Sequence, residues 1–230
     1  MVPVEQAVIL LDQLDATVRD TLSSPEIQAT DMSLLPNKLL SIVPAKEEFL
    51  RSEVDLLHRF VESQCQTTPK KPALEFVTSL HEEAPKRTWT YEELDAEGNK
   101  IANLLTRNGS LPADLVAICF DKCPEASFAI LGILKAGCAF VALDPNAPIA
   151  RKLFITKDSQ SKCLLTTTQH ALELQQALGI PVICLDKITR SDSHSTLPPT
   201  LPRKIEPSDV CYCLYTSGRR PTDPFEGHCG

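Results

Sequence analysis

Leu214-Tyr215-Thr216-Ser217-Gly218 is the segment of this chain whose residue types could do chemistry. A short apolar run, Val210 to Tyr215, feeds two hydroxyls and a glycine. Small residues let backbone N–H groups close around an anion, and the hydroxyls add donors. The pattern is that of a strand delivering a phosphate-binding loop. Thr216, Ser217 and Gly218 read equally well as a solvated turn. The next residues are Arg219-Arg220-Pro221-Thr222-Asp223-Pro224. Their two prolines remove N–H donors where a phosphate cradle needs them. The chain builds towards an anion site, and the pattern then breaks.

Other reactive patterns lead nowhere. There is no G-x-x-x-x-G-K-[ST] and no G-x-G-x-x-G. Ser159 and Lys162 have the spacing of a serine acylase pair, without the companion motifs that chemistry needs. The nine cysteines mostly sit in apolar runs such as Ile118-Cys119-Phe120, as reduced, buried thiols do. Cys119-x-x-x-Cys123 and Cys211-x-Cys213 make no paired zinc pattern, and the five histidines are scattered, so no metal site is expected. No catalytic residue is assigned.

The elements that position these residues follow from periodicity. Val8, Leu11, Leu14, Val18 and Leu22 predict an amphipathic helix over residues 4–22. Pro25, Pro36 and Pro44 mark a linker. A second helix is expected from Glu47 to about Gln64, burying Leu50, Val54, Leu57 and Phe60 and ending at Thr67-Thr68-Pro69. Ala73 to Val77 is a short strand, and His81 to Lys86 a polar loop. Trp89-Thr90 ends a strand, and Thr90 with Glu93 makes a capping box for a helix that stops at Asn108-Gly109. That stop is also the simpler reading of the Asn108-Gly109-Ser110 sequon.

From there strands and helices alternate. The strands are Leu115–Phe120, Ala139–Leu143, Lys162–Thr166, Val182–Leu185 and Val210–Tyr215. The helices are one opened by Pro124, then Ile149–Lys157 and Thr168–Leu178. Residues 189–208, polar with four prolines, read as an exposed loop. This rhythm implies an α/β fold with a mostly parallel sheet flanked by helices.

Residues 1–60 carry ten acidic and five basic side chains, so the head is acidic while the body is near neutral. No basic excess suggests a nucleic-acid partner. Ala126 to Leu143 is apolar but for Lys135, and Gly137 follows where a soluble helix would stop. Helix, turn and strand fit better than a membrane span. A basic n-region and a long apolar core are both missing at the N-terminus, so a cytoplasmic location is expected.

Three segments together resemble the adenylate-forming (AMP-binding) superfamily, specifically the adenylation domains of nonribosomal peptide synthetases. Thr88-Trp89-Thr90-Tyr91-Glu92-Glu93-Leu94, with Asn99 and Ala102, is similar to the family's T-Y-x-E-L opening. Leu134-Lys135-Ala136-Gly137-Cys138-Ala139-Phe140-Val141-Ala142-Leu143-Asp144-Pro145 is similar to L-K-A-G-x-A-Y-V-P-L-D-P, with Ala142 in place of the usual proline. Pro148, Arg151, Asp158-Ser159 and Leu164-Leu165-Thr166 continue the likeness. Tyr215-Thr216-Ser217-Gly218 is similar to the start of Y-T-S-G-T-T-G-x-P-K-G. The entry region around Leu57 and Phe76 faintly resembles fungal siderophore-type synthetases.

The resemblance implies an ATP- and Mg²⁺-dependent activation of a small carboxylic or amino acid as an acyl-adenylate. The acyl group would then pass to a phosphopantetheine thiol on a carrier domain, with condensation domains also possible in the parent protein. It implies that Thr216, Ser217 and Gly218 contact the β- and γ-phosphates. It implies scaffold roles for Tyr91, Leu94, Lys135, Gly137, Asp144 and Pro145, and makes Arg151 a surface or capping cation. After Gly218 the family's second glycine and loop lysine are missing. The expected organisation is an acidic helical head and linker (1–45), the front part of an adenylation domain (46–218) and a non-family tail (219–230). Such a chain is expected to be a truncated, poorly soluble fragment that is inactive alone. The alternative is a noncatalytic binding module derived from an adenylation domain.

Overall fold

In this computed structural model residues 4–23, 26, 54–78, 85–187 and 195–215 are described. The chain divides into two units, Met1–Ser52 and Glu53–Gly230. In the first, helical spacing of apolar residues yields α1 (Val4–Ser23), with Arg19 bridging to Asp15 one turn back at 2.8 Å. Val8, Leu11, Leu14, Val18 and Leu22 form an exposed apolar stripe along it.

The second unit opens with α2 (Leu57–Thr67) and an antiparallel hairpin of β1 (Pro72–Val77) and β2 (Lys86–Thr90). Then come α3 (Tyr91–Arg107), β3 (Leu115–Cys119), α4 (Pro124–Lys135), β4 (Ala139–Ala142), α5 (Ile149–Asp158), β5 (Cys163–Thr166), α6 (Thr168–Leu178), β6 (Val182–Cys184) and β7 (Tyr212–Cys213). The last five strands form one sheet in the order β6-β5-β3-β4-β7, and every pairing in it is parallel. The expected α/β architecture is therefore present.

Alternation along the strands splits the core in two. Val116, Ile118, Cys163 and Leu165 face one cluster with Ile101, Leu105, Phe128 and Ile133 from α3 and α4. Ala117, Cys119, Val141 and Leu164 face the other, with Ile155, Leu174 and Leu178 from α5 and α6. Both faces of the sheet are covered, which is why its strands read as continuous apolar runs.

Local signals set the helix limits. Thr90 Oγ1 accepts from the Glu93 N–H (3.3 Å), and Glu93 Oε2 accepts from the Thr90 N–H (2.9 Å), completing the expected capping box. Pro124 stands in the first turn of α4. Gly137, at φ +72°, ends that helix in the left-handed region; a Cβ there would also meet Pro112 at 3.1 Å and Ile205 at 3.2 Å. The apolar stretch from Ala126 is thus helix, turn and strand. No helix among the described residues is long and apolar enough to cross a membrane.

Several expectations need correction. The second helix starts at Leu57, residues 54–56 are not helical, and residues 47–53 lie outside the described ones. Its phase also differs: Leu57 and Phe60 are exposed, whereas His58 is buried and Val61 packs on the core. The cause is a charge, since Glu62 on this helix must face the buried ammonium of Lys135, 2.6 Å away. The strand expected from Val182 to Leu185 yields at Leu185 to a 3₁₀ turn. The last strand pairs only at Tyr212 and Cys213 rather than over Val210–Tyr215. Within the loop expected at 189–208, residues 195–197 are held on α3: Asn99 Nδ2 donates to the Thr196 carbonyl (2.8 Å) and Asn103 Nδ2 to the Leu197 carbonyl (2.8 Å). Residues 188–194 of that loop and 81–84 of the earlier one lie outside the described residues.

Candidate functional site

Open parallel sheets present ligand-binding loops at the carboxyl ends of their strands. Here that edge collects polar groups from four successive connections. After β3, Asp121 Oδ2 lies 2.8 Å from His170 Nε2 and accepts from Gln169 Nε2 (3.0 Å) at the start of α6. After β6, Asp186 accepts from the Thr168 N–H at 2.9 Å and from the Thr168 hydroxyl. Burial pushes the Asp186 carboxyl up, but these donors outweigh it and hold it below the ordinary carboxylate range.

After β4, Asp144 and Pro145 form the turn that the long motif anticipates. Asp144 Oδ1 accepts from the Asn146 N–H at 2.8 Å, and the Pro145 carbonyl accepts from Lys152 Nζ at 2.7 Å. Lys152 is 2% exposed, and its nearest carboxylate, Glu173, is 3.9 Å away. The turn is thus tied to α5 by a buried ammonium.

Tyr215 stands two residues beyond β7, at the same edge. Its hydroxyl donates to Asp158 Oδ2 at 2.6 Å. Its ring meets Phe154 edge-on, with centroids 6.3 Å apart and planes at 85°. The Arg151 guanidinium lies 5.4 Å from the Phe154 centroid and 5.9 Å from that of Tyr215. Arg151 is therefore a ring-stacking cation within this cluster. Thr216, Ser217 and Gly218 follow directly and lie outside the described residues.

The remaining motif residues sit elsewhere. Tyr91 opens α3, its N–H donating to the Lys71 carbonyl at 3.1 Å, and Leu94 is buried in the first core cluster. Trp89 packs edge-on against Phe128 at 5.5 Å. Lys135 is 3% exposed and pairs with Glu62 (2.6 Å) and Asp95 (2.9 Å), joining α2, α3 and α4. The structure thus brings Asp144 and Pro145 to the edge that Tyr215 occupies, and gathers Tyr91, Leu94 and Lys135 around α3. Sequence reasoning assigned no role to Glu62, Asp95, Lys152 or Phe154, and none to Asp158 beyond its family likeness. A lysine inside an apolar run was the available signal for the charge cluster, since such a group must find counter-charges.

The thiols are not reactive groups. Eight cysteines among the described residues are free, and Cys229 lies outside them. Burial pushes Cys119 and Cys163 up to about 11 and Cys138 up to about 12, so these three stay protonated at neutral pH. Cys138 Sγ instead donates to the Leu111 carbonyl at 3.3 Å.

Comparison with known proteins agrees with this geometry. The pattern of the family described as "AMP-binding enzyme" matches residues 61–218. Nonribosomal peptide synthetase 2 of Cochliobolus heterostrophus is 45% identical over 223 residues, covering 95% of this chain and 4% of that protein. Nonribosomal peptide synthetase SIDC of Beauveria bassiana is 44% identical over 219 residues, again 95% of this chain and 4% of the relative. The chain therefore spans about 4% of the length of these curated relatives. Among solved structures, the fatty acyl-adenylate ligase from L. pneumophila in complex with acyl adenylate and pyrophosphate superposes with a TM-score of 0.62 at 30% identity, covering 75% of this chain and 30% of that one. A parallel sheet with Tyr215 at its carboxyl edge, a family pattern running through to Gly218 and fungal synthetase relatives converge on one assignment: the chain belongs to the AMP-binding enzyme family.

Proposed function

We propose that this chain is the phosphate-loop-bearing front part of an ATP-dependent, acyl-adenylate-forming enzyme of the nonribosomal peptide synthetase type, and that it does not complete the reaction alone. The observation that carries this reading is the delivery of Tyr215 by a parallel strand to the sheet's carboxyl edge, directly before Thr216-Ser217-Gly218. The hydroxyls of Thr216 and Ser217 and the backbone N–H groups of this segment are donors suited to phosphate oxygens. Bound Mg·ATP would supply the α-phosphate that a small carboxylic or amino acid attacks. This chain's own part is to hold the leaving phosphates. Scaffold roles fall to Tyr91, Leu94, Lys135, Gly137, Asp144 and Pro145. The organisation that goes with this reading is a head and linker at 1–45, the adenylation part at 46–218 and a separate tail at 219–230.

Inactivity alone follows from residues 219–224. Arg219-Arg220-Pro221 stands where the loop would need a further glycine and a lysine, and the prolines withhold N–H donors. In the parent enzyme the acyl group would go to a phosphopantetheine carrier, with condensation domains nearby, in the cytoplasm. The test is amino-acid-dependent ATP–pyrophosphate exchange with the purified chain. No exchange is expected with any acid, while tripolyphosphate binding persists at millimolar levels. Exchange above background would overturn the inactive reading, and an absence of any phosphate binding would overturn the loop reading.

A second reading, a noncatalytic binding module, has one observation in its favour. The stripe Val8, Leu11, Leu14, Val18 and Leu22 on α1 is exposed, and such stripes suit a partner helix. It predicts a stable stoichiometric complex that Leu11→Asp with Leu14→Asp abolishes.

A further inference from the structure

Backbone pairing holds the last strand only briefly. Tyr212 pairs with Phe140 and Cys213 with Val141, and the ladder ends there. What directs the chain beyond that point is a side chain. Tyr215 is gripped three ways by one helix: its hydroxyl by Asp158, its ring edge by Phe154, and its ring face by Arg151. Arg151, Phe154 and Asp158 stand at i, i+3 and i+7, which places them on one face of α5.

That helix is itself fixed. Ile155 is buried in the second core cluster, with Leu153 packed against it. Lys152, on the turn of helix that carries Arg151, reaches the Pro145 carbonyl. A continuous chain of contacts thus runs from the Asp144-Pro145 turn through Lys152 and α5 to Tyr215, and so to the residue before Thr216. The two motifs that are seventy residues apart in sequence, at Asp144-Pro145 and at Tyr215, are mechanically one unit.

We propose that the Arg151–Phe154–Asp158 face of α5 is a positioning device for the segment beginning at Thr216, with Tyr215 as its handle. This rests on the reading of Thr216-Ser217-Gly218 as phosphate contacts. The physical reason is that donors aimed at an anion act only when preorganised, and a short displacement of a loop forfeits much of their effect. The hydroxyl–carboxylate bond supplies direction, because a hydrogen bond to a charged acceptor is stronger than a neutral one. The two aromatic contacts supply placement. Tyr215 and Asp158 are positioning residues and need not touch the ligand.

The test uses the full chain and four variants: Tyr215→Phe, Asp158→Ala, Asp158→Asn and the double variant Tyr215→Phe/Asp158→Ala. Hydrogen exchange by mass spectrometry is read on peptides that follow Tyr215 and on β3–β5 peptides as an internal control. Tripolyphosphate and Mg·ATP titrations are read in parallel. Tyr215→Phe and Asp158→Ala should each speed exchange after Tyr215 by about tenfold, the net effect of losing one charge-assisted bond. The double variant should add nothing further, Asp158→Asn should remain near wild type because it keeps an acceptor, and β3–β5 should not change. Ligand affinity should fall with the same ranking. Unchanged exchange after Tyr215 in both single variants overturns the proposal, whatever the titrations show. If the wild-type chain binds neither ligand while exchange responds as expected, the anchor stands and the phosphate reading of Thr216–Gly218 falls. Should Tyr215→Phe fail to fold, Asp158→Ala decides, since Asp158 is exposed and its replacement disturbs no core.

Discussion

The two faces of the sheet each bury a lysine, and they satisfy it in opposite ways. On the α3–α4 face, Lys135 meets two carboxylates, Glu62 and Asp95, at 2.6 and 2.9 Å. On the α5–α6 face, Lys152 donates to a neutral carbonyl, that of Pro145, and has a carboxylate no nearer than 3.9 Å. The first arrangement ties three helices by charge. The second ties a turn to a helix by one directed bond. A buried ammonium needs compensation in either place, but removing it leaves different residues behind. Around Lys135 two partly buried anions would be stranded. Around Lys152 only a carbonyl would lose its partner.

The largest effect should come from breaking the charged cluster. Lys135→Met is expected to destabilise the chain by about 3–5 kcal/mol, the usual cost of stranding buried partners. Urea unfolding measures it, and adding Asp95→Asn should recover part of the loss. The same face is also closely packed by glycine. A Cβ on Gly132 would lie 2.5 Å from Ile101 Cβ and 3.0 Å from the Gly98 carbonyl, so α3 and α4 touch only because both positions lack side chains. Gly132→Ala should therefore cost about 1–3 kcal/mol, read as a lower melting temperature.

Lys152→Met sharpens the contrast. It leaves the Pro145 carbonyl unpaired but strands no charge, so a loss of about 1 kcal/mol is expected. A loss as large as that of Lys135→Met would remove the distinction between the faces.

The smallest effect is a pH slope on the charged face. Burial lowers the His58 pKa below the ordinary imidazole value; Glu62 opposes this shift, whereas Lys135 and Arg59 reinforce it. Asp55 also faces the ring and opposes the shift. The unfolded chain then binds the proton first. Stability from neutral His58 is complete above the ordinary imidazole range, near pH 6.5, and falls as pH drops towards its lowered folded value. Unfolding measured from pH 7.5 to 5 should show this slope, and His58→Gln should remove the part of it that titrates with an imidazole.

Much of this molecule was legible because its signals are local. Thr90 and Glu93 lie three residues apart and cap α3 as their types demand. Pro124 opens α4 and Gly137 closes it, while the apolar runs from Leu115, Ala139 and Cys163 are strands of a doubly covered sheet. The errors share a different cause. The phase of α2 was misjudged because Glu62 had to face Lys135, a residue far along the chain. The last strand was drawn too long because pairing at β7 depends on where β4 ends, which no pattern within Val210–Tyr215 encodes. The loop after β6 looked free, yet Asn99 and Asn103 hold its Ser195–Leu197 part on α3. The candidate site was half legible. Its residues Asp144, Pro145 and Tyr215 were marked by motif, but the grip of α5 on Tyr215 was not.

Sequence by itself determined the family, the α/β rhythm, the helix caps and the break after Gly218. These depend on residue type and on spacings of a few residues, over which the backbone leaves little choice. Tertiary structure alone decided which lysine meets carboxylates and which meets a carbonyl, which face of α2 turns inward, and that α5 holds Tyr215. Those outcomes rest on contacts between residues tens of positions apart. Burial first removes the competing water and then makes each polar group depend on whichever partner the fold has placed beside it.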